Sequence, residues 1–201
     1  KSVIVKSKIA KAKDADNPTS KTHEGMGRTI MTITNIDPTA KKTVGFVKMD
    51  YGQTSVDIRK ASGGQIFTGL RAELKTKEDL STYYSPGIAG PCIEIAKDPS
   101  LSKKLTMRRN TVAVISDGSA VLGLGNLGAK ASMPVMEGKS ALFKRFADID
   151  SIPVVLNTQN TEEIIQTIKN IAPSFGGINL EDISAPRCFE IEERLKQELD
   201  I

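Results

Sequence analysis

Three groups of residues in this sequence have types and spacings suited to chemistry. Lys139 is the first. In a helix over Met133–Phe146, Met136 lies three residues before it, and Leu142, Phe143 and Phe146 lie three, four and seven after it. That spacing puts the lysine on the apolar stripe of the helix. Burial disfavours an ammonium and lowers its pKa, and a lysine so tuned serves as a general base near neutral pH. The alternative is a lysine that reaches out to water, or that pairs with Glu137 or another carboxylate. Glu181 and Asp182 are the second group. They follow a short apolar run, Gly-Gly-Ile-Asn-Leu, and ligands of open α/β sheets collect beyond the carboxyl ends of strands. Paired hard oxygens there suit Mg²⁺ or Mn²⁺. The same two acids also suit the start of a helix beginning at Pro186, where its dipole stabilises them. Tyr84 is the third. It precedes Ser85-Pro86-Gly87, and a tyrosine held by a rigid turn can act as a proton donor beside a cation. Most tyrosines beside turns only pack.

Gly123-Leu-Gly125-Asn-Leu-Gly128 matches G-x-G-x-x-G. The dinucleotide fingerprint needs a strand running straight into the glycines and a helix opening on them. The preceding strand candidate ends at Asp117-Gly118, and Ala129–Pro134 is a poor helix opening. Asp148 and Asp150 do lie at the downstream distance of the acidic residue. A tight turn with close backbone packing is the favoured reading. The single histidine, His23, argues against a His-based triad or a His-rich metal site. Acid–base chemistry falls to Lys, Tyr, Asp or Glu.

The elements that must position these residues form an alternating series. Thr111–Ile115 (TVAVI) and Ile152–Leu156 read as buried strands, and Gly177–Leu180 as a short third one. Between and after them come helices: Met133–Phe146, one capped by Thr161 and running to about Ile171, and Pro186–Leu199 with Cys188, Ile191, Leu195 and Leu199 on one face. Upstream, Gly90–Lys97 suggests a short helix. Strands alternating with helices argue for an α/β fold with a mainly parallel sheet flanked by helices. Residues 1–74 have a different texture. Lys1–Val5, Arg28–Ile36, Thr43–Met49 and Thr54–Ile58 read as strands, with turns near Pro38 and at Ser62-Gly63-Gly64. The expected organisation is a β-rich segment over 1–74, of accessory, regulatory or oligomerising role, and a catalytic domain over 75–201.

Composition narrows the classes. The 201 residues are 39% hydrophobic and 26% charged, enough for a packed core. Aromatics are 4% with no Trp, which argues against a base-stacking surface. Residues 1–75 hold 14 Lys+Arg and 7 Asp+Glu, and the remainder 14 and 17. The basic half reads as a solvated lysine-rich surface in preference to a nucleic-acid interface, and no nucleic-acid partner is expected. No apolar run approaches the ~18 residues of a membrane span, and no signal peptide is visible, so no membrane partner is expected. Cys92 and Cys188 have no metal-ligand spacing and suggest a reducing, cytoplasmic setting.

Four ordered blocks carry a resemblance. Tyr84-Ser-Pro-Gly-Ile-Ala comes first, and Val112-Ala-Val-Ile-Ser-Asp-Gly-Ser-Ala-Val-Leu-Gly-Leu-Gly-Asn-Leu-Gly128 second. Pro134-Val-Met-Glu-Gly-Lys139-Ser-Ala-Leu-Phe-Lys-Arg-Phe-Ala147 and Phe175-Gly-Gly-Ile-Asn-Leu-Glu-Asp182-Ile-Ser-Ala-Pro186 follow. From about Lys75 to Ile201 the chain resembles the malic enzymes in their compact bacterial form. The resemblance implies oxidative decarboxylation of L-malate to pyruvate and CO₂, with NAD⁺ or NADP⁺ and Mg²⁺ or Mn²⁺. It implies Lys139 as general base, Tyr84 as general acid, and Glu181 and Asp182 as two metal ligands. It also implies a homodimer or higher homo-oligomer. A malolactic enzyme, releasing lactate, and a non-catalytic regulatory paralogue are the alternatives. The family continues with a third carboxylate ligand and a separate dinucleotide-binding domain, neither of which is in this sequence, so a fragment inactive alone is expected. Larger members carry an arginine for substrate in the Asp-Gly-x-x segment, where this sequence reads Asp117-Gly118-Ser119-Ala120.

Overall fold

The computed structural model describes residues 50–201. Three parallel strands form its sheet: β1 (Thr111–Ser116), β2 (Asp150–Val155) and β3 (Gly177–Leu180), in the order β2-β1-β3. Thr111 faces Asp150 across one pairing, and Val112 faces Gly177 across the other. The expected α/β architecture is present, and β3 has the bounds read from the sequence.

Seven α-helices accompany the sheet among the described residues. They are α1 (Tyr51–Ser62), α2 (Lys77–Tyr83), α3 (Ala89–Lys97), α4 (Ser102–Leu105), α5 (Ala129–Ala147), α6 (Thr161–Ile171) and α7 (Arg187–Glu198). The apolar core lies on one face of the sheet. Ala113 and Ile115 of β1 pack there with Ile164, Ile165 and Ile168 of α6 and with Ile191 and Leu195 of α7. Side chains alternate along a strand, so Val114, fully buried, faces the other side, where α5 lies against β1 and β2. The path β1–α5–β2 therefore crosses one face, and β2–α6–β3–α7 the other. The chain leaves β1 and its neighbour β3 towards opposite faces of the sheet, and a crevice opens where such connections part.

Local chemistry accounts for the helix ends. Asn160 accepts a hydrogen bond from the Glu163 N–H at 3.1 Å and caps α6. Thr161 is thus the first helical residue and not the cap that the sequence suggested. Helix α5 starts at Ala129, four residues earlier than expected. Gly128, at φ +79°, turns the chain into it. Pro134 costs that helix one bond, to the Lys130 carbonyl, but Lys130 and Pro134 are both exposed and water can satisfy the carbonyl.

The strand expected at Thr54–Ile58 is a helix. Its alternating β-branched residues sit inside α1, between Asp50, which accepts from the Gln53 N–H at 3.0 Å, and Gly63 in the left-handed region at φ +73°. Both end signals are local and strong, and they outweigh propensity. The strands expected at Lys1–Val5, Arg28–Ile36 and Thr43–Met49 lie outside the described residues. Helices α1 to α4 contain no buried residue. Arg59 of α1 reaches α5, pairing with Glu137 and donating to the Pro134 carbonyl.

Candidate active site

The crevice is lined by the loops that follow β1 and β3. The Glu181 N–H donates to the Ile115 carbonyl at 2.8 Å and extends the β1–β3 pairing by one step. Asp182 then turns sharply at φ +53°, a left-handed conformation that aspartate tolerates better than most residues. Its carbonyl accepts from the Ala120 N–H at 3.0 Å, which sews the two loops together.

Lys139 reaches this turn from α5. Its ammonium stands 3.1 Å from Glu181 Oε2, which also accepts from the Asn179 side chain at 3.1 Å. The structure thus joins two of the three groups singled out from sequence. The lysine is not sunk in an oily stripe, however. The face of α5 against the sheet is built on Ser132, Met136 and Ser140, and Lys139 sits about 100° off that line. Its side chain keeps 34% of its exposure, while Phe146 is 80% exposed. The ion-paired alternative holds, with Glu181 in place of Glu137.

Tyr84 stands apart. It closes α2, is 72% exposed, and no hydrogen bond among the described residues joins it to Lys139 or to the acid pair. Gly123–Gly128 forms a closed turn. The Val121 N–H donates to the Gly125 carbonyl, and the Leu127 and Gly128 N–H groups donate to the Gly118 carbonyl, each at 3.1 Å. A Cβ on Gly118 would sit 2.2 Å from the Gly128 carbonyl oxygen, so the turn presses directly on residue 118.

Asp182 Oδ2 is buried and has no hydrogen-bond partner among the described residues. A lone buried carboxylate oxygen is costly. Burial, and then the Glu181 charge beside it, push the Asp182 carboxyl above the ordinary aspartate range; the Leu122 N–H and Lys139 oppose this without prevailing. An unsatisfied hard oxygen next to a second carboxylate is the donor set that a divalent cation completes. Glu181 and Asp182 therefore fit Mg²⁺ or Mn²⁺. No cluster of three or more His, Cys, Asp or Glu is found among the described residues.

This strain has a measurable consequence. With its pKa raised in the fold, Asp182 holds its proton more tightly there than in the unfolded chain. Ionisation then costs stability as pH rises from the unfolded value of 3.8 through the raised folded value. The cost is complete above that window and gone below it. Asp182→Asn is expected to raise the Tm of the metal-free protein at pH 7. The gain should vanish below the unfolded value. Thermal melts across pH check both the sign and the window.

One constellation was not singled out from the sequence. The Asp117 carboxylate is 1% exposed and pairs with the Arg187 guanidinium at 2.9 Å. Its other oxygen accepts from the Ser119 N–H and hydroxyl, at 2.9 and 2.6 Å. Applying the strand-end rule to Asp117, just past β1, would have marked it. Nothing in the linear sequence pairs it with Arg187.

The comparisons with known proteins agree on one family. The family model "Malic enzyme, N-terminal domain" matches residues 65–164 and 156–196. An NAD-dependent malic enzyme of Geobacillus stearothermophilus is 63% identical over 139 residues, which is 69% of this chain and 29% of that protein. A bifunctional malic/malolactic enzyme of Bacillus subtilis (strain 168) is 48% identical over 153 residues, covering 76% of this chain and 37% of the relative. The crystal structure of an NAD-dependent malic enzyme from Thermotoga maritima superimposes with a TM-score of 0.71 at 50% identity, over 73% of this chain and 39% of that one. The chain thus spans well under half the length of these relatives. On the matched span, the sheet topology and the sequence identity together, the chain belongs to the malic enzyme family and corresponds to its N-terminal domain.

Proposed function

We propose that this chain is the substrate- and metal-binding domain of an enzyme that oxidatively decarboxylates L-malate to pyruvate and CO₂, reducing NAD⁺ or NADP⁺. The observation that carries the reading is the meeting of Lys139, Glu181 and the unsatisfied Asp182 oxygen at one strand end. A domain over residues 75–201 contributes these groups, and a separate domain binds the dinucleotide. The free cysteines, one of them exposed, suit a cytoplasmic setting. No helix among the described residues is long and apolar enough to cross a membrane.

In this mechanism Lys139, having released its ammonium proton to the solvent that reaches it, takes the proton of the malate C2 hydroxyl on its neutral Nζ as the C2 hydrogen leaves as hydride to the nicotinamide. The resulting 3-carboxy ketone loses CO₂, and Tyr84 returns a proton to the carbon left as an enol. A divalent cation, held by Glu181 and Asp182 with further ligands, would polarise the C2 oxygen and take up the enolate charge. The acid pair is already shaped for that role, because Asp182 has an oxygen with nothing else to bond. Tyr84 is exposed at the end of a helix with no buried residue, as are Ile88 and Ile93 beside it. This supports a homodimer in which a second copy covers that face.

Malolactic chemistry is the second reading, favoured by the bifunctional relative. Product analysis decides between them. Incubation of the complete enzyme, dinucleotide-binding domain included, with L-malate, Mn²⁺ and either dinucleotide should yield pyruvate, CO₂ and stoichiometric NAD(P)H. Lactate without net NAD(P)H supports the malolactic reading, and no turnover supports a non-catalytic paralogue.

A further inference from the structure

We propose that Arg187 is a positioning residue for the Glu181–Asp182 pair, its guanidinium tying together the loops at the carboxyl ends of all three strands. The inference rests on the reading of that pair as the cation's carboxylates. The contacts are specific. Arg187 Nη2 lies 2.9 Å from Asp117 Oδ2 and 3.1 Å from Ser119 Oγ, both in the loop after β1. The same nitrogen is 3.0 Å from Ser184 Oγ, after β3. Nη1 donates to the Gln159 carbonyl, after β2. One side chain thus touches every loop that surrounds the crevice.

Two hydrogen bonds join the β1 and β3 loops across the turn. One runs from the Ala120 N–H to the Asp182 carbonyl; the other runs from the Ser184 N–H to Ser119 Oγ at 2.8 Å. The second depends on the direction of the Ser119 hydroxyl, which donates to Asp117 Oδ1 and receives Arg187. Asp117 and Arg187 therefore set the rotamer on which the second stitch depends. Asp182, which carries the first stitch and lies two residues from the second, is left-handed and has an unbonded buried oxygen next to a like charge. Such a turn relaxes unless its surroundings hold it. A buried ion pair adds little stability of its own, but it holds geometry, and partners behind metal ligands typically change affinity by about 10–100-fold.

The forked guanidinium matters as much as its charge. Two nitrogens serve acceptors in three separate loops, and a single ammonium cannot reproduce that fork. The test uses the holoenzyme and reads Mn²⁺ affinity directly, from the free-ion electron paramagnetic resonance signal. Arg187→Lys is expected to weaken Mn²⁺ binding by about 10–100-fold while retaining a native circular dichroism spectrum. The double variant Asp117→Asn/Arg187→Gln leaves no unpaired buried charge and decides the matter if Arg187→Lys does not fold. It should lose affinity by a similar factor. Arg194→Gln, which frees Glu162 about two turns further along α7, should keep wild-type affinity.

Affinity within two-fold of wild type in the folded Arg187 variants overturns the inference. So does an equal loss in Arg194→Gln, which would show that any loosening of α7 suffices. Absence of Mn²⁺ binding by the wild-type enzyme overturns the metal reading itself and the inference with it; native binding that ignores Arg187 overturns the inference alone.

Discussion

Lys139→Ala is expected to lower kcat for malate oxidation by about 10²–10⁴-fold, the range for removing a positioned general base. The prediction is clean because the lysine contributes little to the fold. Its side chain is one-third exposed and its one ion pair, with Glu181, lies at the crevice edge. A partly exposed pair of this kind is worth about 1 kcal/mol, so Tm should fall by no more than a few degrees. Loss of rate and loss of stability can thus be told apart in one preparation. Lys139→Arg keeps the charge but cannot give up its proton, since a guanidinium stays charged up to pH ~12. It should therefore fail to rescue turnover. Rate measurements with saturating malate and Mn²⁺, beside a melting curve, check both statements. Activity of the alanine variant within a few-fold of wild type removes Lys139 as the base.

The sheet was legible because its central strand is almost wholly buried and its two neighbours, half-buried, are still rich in apolar residues. Thr111–Ile115, Ile152–Leu156 and Gly177–Leu180 all mark real strands. The acids after β3 were legible for a related reason, since strand ends are where such folds gather ligands. One misreading and one open choice share a different cause. At Thr54–Ile58 a short β-like alternation was weighed without its flanking cap signals, Asp50 and Gly63, which close a helix around it. At Lys139 the apolar spacing left burial and ion pairing both open, and the fold forms the ion pair. Leu142 and Phe146 do share that stripe, but no element of the described chain covers them. Periodicity marks a face; it does not supply the surface that the face meets. The Asp117–Arg187 pair escaped for the simplest reason. Its partners are brought together only by the crossing of the chain from β1 through two more strands, and no local pattern encodes that meeting.

The exposed stripe on α5 and the exposed Tyr84 lead to the second large effect. Tyr84→Phe deletes the hydroxyl and nothing else, and should reduce turnover by about 10²–10⁴-fold if the phenol protonates the enol. Reduction and protonation of added pyruvate should slow with it, while Mn²⁺ affinity stays unchanged. Where the tyrosine acts is the sharper question. Within one chain it is 72% exposed and unconnected to Lys139. A second copy, related by two-fold symmetry, would present the same tyrosine to its neighbour's crevice. Mixing then distinguishes the arrangements. In the proposed homodimer, the Tyr84→Phe and Lys139→Ala proteins are each expected to be nearly inactive. When equal amounts exchange subunits at random, about half the dimers are mixed. If the tyrosine serves the partner's crevice, each mixed dimer contains one site with both residues intact and one with neither. Activity should return to about one quarter of wild type. If Tyr84 serves its own crevice, every site in the mixture lacks one group and nothing returns. Recovery therefore reports the geometry of the shared site directly. A mixture as inactive as its parents, with subunit exchange verified, would confine the acid and the base to a single chain.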